Sequence, residues 1–327
     1  MNPALSRRAA IAGAAALAAA PAAAATDFQA WVRGLRTEAL QKGISGRTFD
    51  VALQGVSPQP RILELDRRQP EVVQSLEQYL STRLTPTKIE NGRRRRVDNA
   101  AVLARVQERF GVPPAIVVAL WGLESDYGRF MGDFSVVGSL ATLAFDGRRS
   151  AYFRDELLEA LRILERGRLA VGDLRGSWAG AMGQCQFMPS NYLRLAVDFD
   201  GDGVADIWNS LPDVFASAAN KLAKDGWRAG EGWGREVRLP AGLDEALIDP
   251  NGAGPRKPVA EWHGLGVRGV DGRMPAGDGA EAWLSRPDGP GTRAFLVHGN
   301  FAVLRRWNSP QRFRIAVGLL ADRIGEA

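Results

Sequence analysis

The sequence predicts an α+β protein that is mainly α-helical and carries a small β-rich insertion. Amphipathic helical periodicity runs from residue 27 to about residue 110 and returns over Tyr152–Arg166. Between Pro240 and Gly291 glycine and proline become dense and the helical periodicity disappears, which is typical of short strands joined by turns. A hydrophobic content of 45% and a charged content of 24% over 327 residues are ordinary for a soluble globular protein, so we expect a folded chain.

The first 25 residues have the pattern of an export signal peptide and are set aside from the fold. Arg7 and Arg8 precede the apolar run Ala9–Ala20, and the small residues Ala22–Ala25 follow where cleavage is expected. The segment Ser6–Arg8 fits a twin-arginine signal, and an ordinary secretory signal with two arginines fits it equally well. Because no cysteine lies near the cleavage point, we expect an exported, soluble protein without a lipid anchor.

The predicted helices begin with an N-terminal helical region. Its breaks are helix-disfavouring residues, namely Gly43, Gly55, Pro58 and Pro60. The segment Val112-Pro113-Pro114 then opens a helix whose residues 115–123 are almost all apolar, and because such a helix is buried we expect it to cross the core. A helix over Tyr152–Arg166 and another over Leu211–Gly226 follow.

Short alternating segments, Glu236–Leu239 and Glu281–Leu284, predict strands of the β-rich insertion. The chain closes with a helix for which Ser309 is the expected N-cap and Pro310 the first helical residue. We therefore divide the chain into an export signal (1–25), an N-terminal helical region (26–110), a core (111–235), a β-rich subdomain (236–298) and a C-terminal helix that returns to the core (299–327).

Composition excludes several kinds of site. The one cysteine, Cys185, rules out an intramolecular disulfide, and with His263 and His298 as the only histidines a zinc or iron–sulfur site is disfavoured. No histidine lies near Cys185 in the sequence, so we interpret it as a small buried residue rather than a nucleophile. No apolar run after the N-terminus reaches the roughly 18 residues of a membrane span.

The small excess of basic over acidic residues does not identify a particular partner. The net charge of +5 and the run Arg93–Arg96 would suit nucleic acid. An exported protein seldom meets nucleic acid, and a solvated helix face explains the run more simply. We expect no nucleic-acid partner.

Glu124 is the leading catalytic candidate. It lies at the C-terminal end of the apolar helix, where burial and the negative end of the helix dipole both disfavour the ionised carboxylate. Both effects raise the pKa of a carboxyl group, as a general acid working near neutral pH requires. A carboxylate that caps a neighbouring segment or pairs with an arginine fits this position equally well.

Asp126 is the obvious second carboxylate, but it lies two positions away, and residues two apart point to different sides of a helix. Glycosidases with two carboxylates need both groups around the scissile bond. No other partner stands out in the sequence. This pattern favours chemistry that needs one acid, with the substrate supplying the rest.

The segment Gly176–Pro189 is a loop rich in small residues, which would let a polymer approach the backbone closely. The side chains that could contact a sugar are Ser177, Trp178, Gln184, Gln186 and Phe187. A buried loop that needs several glycine turns is the alternative interpretation.

The segment Asp198–Asp206 matches the first nine positions of an EF-hand calcium loop. Its expected ligands are the side chains of Asp198, Asp200, Asp202 and Asp206 and the main chain of Val204, with Gly203 at the sharp turn. Position twelve is Asn209 where the full pattern has glutamate, so we expect a structural Ca²⁺ of modest affinity and no organic cofactor. A solvated turn held by aspartate side chains is the alternative.

Several segments occur together in an order that resembles the lytic murein transglycosylase B family, glycoside hydrolase family 103. They are Gly111–Pro114, the Glu124 segment, Ala141–Phe145, Gly180–Gly183 with Gln186–Ser190, and Asp198–Trp208. The closing segments Asn300–Phe301 and Trp307–Asn308 resemble the family as well. The resemblance spans essentially the whole mature chain and is densest from Gly111 to Trp227.

The resemblance implies a lysozyme-like catalytic core that cleaves the MurNAc–GlcNAc β-1,4 bond of peptidoglycan glycan strands in the periplasm. It implies that Glu124 protonates the glycosidic oxygen and then acts as base while the muramoyl 6-hydroxyl attacks its own anomeric carbon, giving a 1,6-anhydromuramoyl product. The substrate-binding residues that it implies are Ser177, Gln186 and Asn308, with an aromatic wall at Trp307. We add Phe187 and Met188 of the small-residue loop to the expected substrate-binding set. Trp307 stands where the family often has tyrosine, and we expect a short member without a peptidoglycan-binding repeat.

Two alternatives remain at this point. A lysozyme-type hydrolase on the same scaffold would use water in place of the 6-hydroxyl, and product mass separates the two. A non-catalytic wall-binding protein would predict loss of the acid, yet Glu124 is present. The sequence identifies no partner among cell-wall proteins.

Overall fold

The computed structural model of the chain describes residues 19–67, 74–249, 254–272 and 280–326. The basic and early apolar parts of the predicted export signal, residues 1–18, lie outside the described residues, and the first helix begins at Ala19. The described residues are mainly helical and include small β-sheets, as the sequence predicts. None of their helices is both long enough and apolar enough to cross a membrane.

The helices of the described residues are α1 (Ala19–Gln41), α2 (Gly46–Leu53), α3 (Pro60–Arg67), α4 (Leu76–Arg83), α5 (Pro86–Asp98), α6 (Ala100–Phe110), α7 (Pro114–Ser125), α8 (Val136–Phe145), α9 (Ser150–Glu165), α10 (Pro189–Leu195), α11 (Leu211–Lys224), α12 (Val259–Gly264), α13 (Gly299–Leu304) and α14 (Gln311–Gly325). Their strands are β1 (Phe134–Ser135), β2 (Arg175–Gly176), β3 (Gly234–Arg238), β4 (Ile248–Asp249), β5 (Lys257–Pro258), β6 (Arg268–Gly269), β7 (Glu281–Ser285) and β8 (Ala294–Val297).

The chain forms two compact units that interleave along the sequence. The first unit contains the described residues up to 67 together with 132–181 and 188–193. The second unit contains 74–131, 182–187 and the described residues from 194 to 326. The division of the sequence at residues 110 and 235 therefore stays a prediction.

The first unit is built around the helix pair α8 and α9, on which α2 and α3 pack. Both central helices contribute fully buried leucines, among them Leu140 and Leu157. Ser135 caps α8 by accepting a hydrogen bond from the Gly138 N–H. β1 and β2 form an antiparallel pair that leads into the small-residue loop of the sequence analysis.

The second unit contains the apolar helix α7 in its core, which confirms the sequence prediction. Val117 and Val118 have no exposed surface, and α14, α5, α11 and α6 pack around the helix. Pro113 is its N-cap and Pro114 its first residue, where the missing amide hydrogen costs no intrahelical bond. The C-terminal end of α7 is thereby fixed by neighbours on several sides.

The β-rich insertion folds as one sheet in the order β4-β7-β8-β3-β6, with β5 paired to β7. Neighbouring strands are antiparallel except β4 and β7, and Leu284 pairs with Leu296 across the β7–β8 ladder. The core beneath the sheet contains Trp262, whose indole N–H donates to the Ala282 carbonyl at 2.9 Å. The two strands predicted from alternation are present as β3 and β7.

The predicted start of the C-terminal helix was wrong by one residue. Pro310 has extended backbone angles (φ −58°, ψ 132°) and is itself the N-cap, so the helix begins at Gln311 and Ser309 lies outside it. The Pro310 carbonyl accepts the first helical hydrogen bond, from the Arg314 N–H at 3.4 Å.

Candidate active site

Glu124 lies half-buried in the last turn of α7, as the sequence predicts. Directly after this turn, Asp126 (φ 51°) and Tyr127 (φ 61°) both adopt the left-handed conformation. For a residue with a side chain this conformation costs roughly 1–2 kcal/mol, so two in succession need outside support. The support comes from α5.

Lys88 of α5 holds both sides of the Glu124 turn. Its Nζ donates to the Gly122 carbonyl at 2.8 Å and lies 2.8 Å from Asp126 Oδ1. In return, the Tyr127 hydroxyl donates to the Lys88 carbonyl at 2.7 Å. We call these four residues the Lys88 clamp. A cation at a helix C-terminus also complements the helix dipole.

Gly122 is required by this arrangement. A Cβ atom at this position would lie 2.7 Å from ring carbons of Tyr127, which is buried and cannot withdraw. Burial raises the pKa of the Tyr127 hydroxyl, with the Asp126 charge as the smaller cause, so the group stays a neutral donor.

Both carboxylate oxygens of Asp126 have cationic partners. One oxygen pairs with Lys88, and the other accepts from Arg129 Nη1 at 3.0 Å. The Asp126 side chain is 19% exposed, and of its two partners Lys88 is largely buried whereas Arg129 is exposed to solvent. The expectation of a single acid is consistent with this placement.

Trp307 contacts Glu124 directly. Its indole Nε1–H donates to Glu124 Oε1 at 2.7 Å, and the two residues are 183 positions apart in the sequence. The indole is half-buried and packs against the Phe187 ring at 5.7 Å between centroids. The sequence predicts an aromatic wall for substrate at this position; the structure adds a hydrogen-bond donor that orients the Glu124 carboxyl group.

Phe187 was predicted to offer its ring face to substrate, and this prediction was wrong. The side chain is 1% exposed. Gln186 before it has left-handed backbone (φ 50°), and the Met182 and Phe187 main chains bond to each other in an antiparallel bridge. The turn directs the ring into the core, where it supports Trp307.

The interpretation of Cys185 as a buried residue is confirmed. Its side chain is 3% exposed, and the thiol donates to the Val214 carbonyl at 3.2 Å. Burial raises the pKa of the thiol, and the charge of Glu124 raises it further, so a thiolate nucleophile is disfavoured. Cys185 and Glu124 line one small apolar cavity with Val117, Leu120 and Phe215.

Glu124 also lines an open cavity of about 390 Å³. The remaining lining residues are Arg83, Thr85, Thr87, Lys88, Asn91, Leu123, Ser125, Asp126, Arg129 and Phe130. Phe130 is 65% exposed, so an apolar ring stands beside hydroxyl, amide and cationic groups. Such a mixture can bind a ligand that is polar at its rim and apolar on its faces.

The predicted contact residues of the small-residue loop belong to different units. Ser177 lies in the first unit, where its Oγ accepts from the Ala179 and Ala181 amides at 3.3 and 3.0 Å. Met188 is half-buried in the same unit. Gln186 lies in the second unit with Glu124, and its Nε2 donates to the Gly183 and Met131 carbonyls. The loop therefore satisfies much of its own polarity.

Asn308 is half-buried directly after Trp307, where its backbone N–H donates to the Leu304 carbonyl at 3.1 Å. Asn308 lies in the second unit, as do Trp307 and Glu124.

Gln184 has a larger structural role than its sequence suggests. It is 7% exposed; its Oε1 accepts from Trp121 Nε1 at 2.7 Å, and its Nε2 donates to the Trp208 carbonyl at 2.6 Å. Its own carbonyl accepts from Ser125 Oγ at 2.9 Å. Gln184 thus joins the Glu124 turn to the last residues of the aspartate-rich loop.

The aspartate-rich loop, residues 198–209 and hereafter the acidic loop, has the turn that the motif predicts. Gly203 has φ 91°, and its N–H donates to Asp198 Oδ2 at 2.8 Å. Carboxylate oxygens of Asp198, Asp200 and Asp202 lie within 4.8 Å of one another, which is a donor set suited to a hard cation. The Val204 N–H donates to Asp202 Oδ1 at 2.8 Å.

The far end of the acidic loop is tied to protein groups. Asp206 accepts from the Trp208 and Asn209 amides and from the Asn209 side chain. Asp213 of α11 is fully buried and accepts from the Phe199 and Asp206 amides at 2.7 and 2.8 Å. Burial raises the pKa of Asp213, and these amide hydrogen bonds oppose the shift.

Three comparisons place the chain among known proteins. Residues 27–322 match a family model described as Transglycosylase SLT domain. The chain is 34% identical over 251 residues to membrane-bound lytic murein transglycosylase B of Escherichia coli K12, over 76% of this chain and 67% of that protein.

Solved structures give the same picture. The crystal structure of SltB3 from Pseudomonas aeruginosa in complex with NAG-anhNAM-pentapeptide matches with a TM-score of 0.86 and 46% identity, over 91% of this chain and 79% of that one. The structure of the Escherichia coli lytic transglycosylase Slt35 in complex with calcium matches with a TM-score of 0.77 and 29% identity, over 90% and 92% of the two chains.

Proposed function

This chain belongs to the SLT transglycosylase family of peptidoglycan-cleaving lyases, and from that premise we propose that Glu124 is the acid and then the base of its reaction. The resemblance seen in the sequence is thereby confirmed, as is the lysozyme-like, mainly helical α+β fold. The activity is that of a lytic transglycosylase.

In the proposed reaction the protonated carboxyl group of Glu124 donates its proton to the oxygen that joins MurNAc C1 to GlcNAc O4. The C1–O4 bond breaks, and GlcNAc leaves with a free 4-hydroxyl. The 6-hydroxyl of the same MurNAc attacks C1, and Glu124 takes the proton that this hydroxyl loses. The product ends in 1,6-anhydroMurNAc, no water is consumed, and the enzyme returns to its starting protonation state.

The hydrogen bond from Trp307 to Glu124 is the observation that carries this proposal. At 2.7 Å it fixes the carboxyl group at the edge of the open cavity, where a bound glycan would present its scissile oxygen. The ion pairs of Asp126 with Lys88 and Arg129 support a reaction that uses one carboxyl group. To act as a nucleophile, Asp126 would first have to break both ion pairs.

We propose that the open cavity, which Glu124 lines, holds a sugar unit. Trp307, Asn308 and Gln186 do not line this cavity and stay proposed contacts for another part of the glycan. Ser177 and Met188 stay proposed substrate contacts. The Ser177 hydroxyl oxygen already accepts hydrogen bonds from two amides of its own loop, so in a contact with substrate the hydroxyl group would act as the donor. Phe187 is left out of this set because it is buried.

We also propose that the acidic loop binds a structural Ca²⁺. The residues that would hold it are Asp198, Asp200, Asp202 and Asp206 with the Val204 carbonyl, and the convergence of three carboxylates supports the fit. The ion would neutralise like charges and stiffen the loop, which Gln184 connects to the Glu124 turn. It would take no part in the chemistry.

Export to the periplasm is proposed from the sequence of the first 25 residues and from the location of the family's substrate. Cell fractionation of the wild type and of Arg7→Lys/Arg8→Lys separates the two export routes. Retention of the variant in the cytoplasm supports the twin-arginine route, whereas unchanged export supports the ordinary secretory one.

Product mass tests the reaction type. Muropeptides released from purified peptidoglycan are analysed by mass spectrometry, and an anhydromuramoyl product is lighter by one water than the reducing-end product of hydrolysis. Anhydro products are expected. Reducing-end products would show that water is the nucleophile and would assign the chain to lysozyme-type hydrolysis.

A further inference from the structure

We propose that Lys221 is a positioning residue for this reaction and that it acts on Glu124 through Trp307. The inference rests on the proposed role of Glu124 as the acid. Lys221 lies on α11, outside every motif that the sequence analysis singled out.

Lys221 is buried in a way that needs an explanation. The residue is 5% exposed. Burying a charged ammonium group costs free energy of folding unless charged and polar partners replace the water that it loses. Its Nζ donates to Asp225 Oδ2 at 2.7 Å and to the Arg306 carbonyl at 3.2 Å. The first bond supplies a counter-charge on the same helix, and the second reaches 85 residues along the chain.

The Arg306 carbonyl belongs to the peptide unit that leads into Trp307. The chain leaves α13 through tight turns, with the Arg306 N–H on the Val303 carbonyl and the Trp307 N–H on the Leu304 carbonyl. Carbonyls at such a helix end lack an intrahelical donor, and a lysine can supply one. Lys221 thereby fixes the backbone from which the Trp307 side chain extends.

The same ammonium group also contacts the Trp307 ring. Nζ lies 5.6 Å from the ring centroid, within the range of a cation–π interaction, which gains strength in desolvated surroundings. Phe187 contacts the ring as well, at 5.7 Å between centroids. The backbone and the ring of Trp307 are therefore both held in place, and this positions the indole N–H to donate to Glu124 Oε1.

A cation against the indole ring has an electronic consequence beyond its positional one. It withdraws electron density from the ring and makes the N–H a stronger donor, as neighbouring polar groups do in any hydrogen-bonded network. The series Asp225, Lys221, Trp307 and Glu124 is then one connected network with the acid at its end. Loss of Lys221 should weaken the last bond and loosen the carboxyl group.

The expected kinetic signature is a fall in kcat with little change in KM. Lys221→Met keeps an unbranched apolar chain over the ring and removes the charge, and we expect kcat to fall about 10-fold, as for the loss of one such interaction. KM should stay within about 2-fold because Lys221 does not line the open cavity. Lys221→Arg keeps a cation at the ring and should restore most of the rate.

The decisive test is a double-mutant cycle on kcat with Trp307→Phe, which keeps an aromatic ring but cannot donate to Glu124. If Lys221 acts through Trp307, Lys221→Met lowers kcat in the wild-type background and has no further effect in the Phe background. Equal losses in both backgrounds, or a wild-type kcat in Lys221→Met, would overturn the proposal.

Three further variants separate this result from loss of stability and from failure of the premise. Lys221→Met/Asp225→Asn removes both charges, so no unpaired carboxylate remains, and it should show the same kcat as Lys221→Met. Arg293→Met breaks the partly buried ion pair with Glu236 in the β-sheet and should lower the melting temperature without changing kcat. Glu124→Gln is measured in parallel: if it stays active, the premise fails, whereas an inactive Glu124→Gln beside a normal Lys221→Met refutes the Lys221 inference alone.

Discussion

Replacing Lys88 by methionine would remove the cation that holds both sides of the Glu124 turn. Methionine fills nearly the same space, so packing against α7 is kept while two polar contacts are lost. The Gly122 carbonyl loses its donor, and Asp126 keeps only Arg129, whose side chain is 65% exposed. The left-handed conformation of Asp126 and Tyr127 then loses part of its support.

The size of the effect follows from these contacts. A hydrogen bond to a charged group contributes about 1.5–3 kcal/mol and one to a neutral carbonyl about 0.5–1.5 kcal/mol. We expect the free energy of unfolding of the second unit to fall by about 2–4 kcal/mol. Because misplacement of a catalytic group by about 1 Å can lower the reaction rate about 10²-fold, we expect kcat to fall by about 10- to 100-fold.

Urea unfolding followed by tryptophan fluorescence, together with turnover of a defined peptidoglycan fragment, measures both effects. Lys257→Met is the matched control, since it removes the ion pair between Lys257 of β5 and the exposed Glu261 of α12, which is worth at most about 1 kcal/mol. If Lys88→Met shifts the midpoint no more than Lys257→Met and leaves kcat unchanged, the Lys88 clamp does not support the Glu124 turn.

Three other predictions follow from single contacts. Gly122→Ala should lower the free energy of unfolding by about 1–3 kcal/mol because the added methyl group meets the Tyr127 ring. Gly34→Ala in α1, where the added methyl group meets open space, should raise the free energy of unfolding by up to about 1 kcal/mol. Calorimetry of the two variants measures both changes. Burial raises the pKa of Glu156, so the folded state holds this proton more tightly than the unfolded state, and the resulting stability is lost as pH rises through the folded-state pKa. Glu156→Gln should therefore gain stability relative to wild type as pH rises above the ordinary pKa of a glutamate, and a difference in melting temperature that does not change with pH would contradict this. Millimolar Ca²⁺ should raise the melting temperature of wild type and leave that of Asp198→Asn unchanged, while an equal rise in both would show that the ion binds outside the acidic loop.

The parts of the site that lie within one short segment could be predicted from the sequence. Glu124 stood out because a carboxylate ends an almost wholly apolar helix, and α7 is indeed buried. The spacing of Asp198, Asp200 and Asp202 predicted a loop whose carboxylates converge, and they do. In both cases the local pattern itself sets the geometry.

Contacts between distant segments could not be predicted. Lys88 and the Gly122 carbonyl are 34 residues apart, and Trp307 and Glu124 are 183 apart. Lys88 stands on a polar helix close to the run Arg93–Arg96, and Lys221 stands on α11 close to Lys224, where a solvated lysine would be equally ordinary. Their roles depend on which helices pack together, which periodicity does not specify.

The aromatic residues show a second limit. Phe187 was assigned to the substrate because it lies in a loop of small residues, but the left-handed Gln186 turns its ring inward. Helix α8 was not predicted as an element because it is short and apolar on every side, although its cap Ser135 precedes it. Backbone handedness at one residue and short, fully buried elements leave no periodic signal.

The most direct test of the central claim is the release of anhydromuropeptides by Glu124→Gln compared with wild type and with Glu108→Gln, an exposed glutamate of α6. Glutamine keeps an acceptor for Trp307 but has no proton to donate to the glycosidic oxygen. We expect Glu124→Gln to bind peptidoglycan and release no anhydro product, while Glu108→Gln matches wild type. Anhydro product from Glu124→Gln at a rate close to wild type would show that another group is the acid.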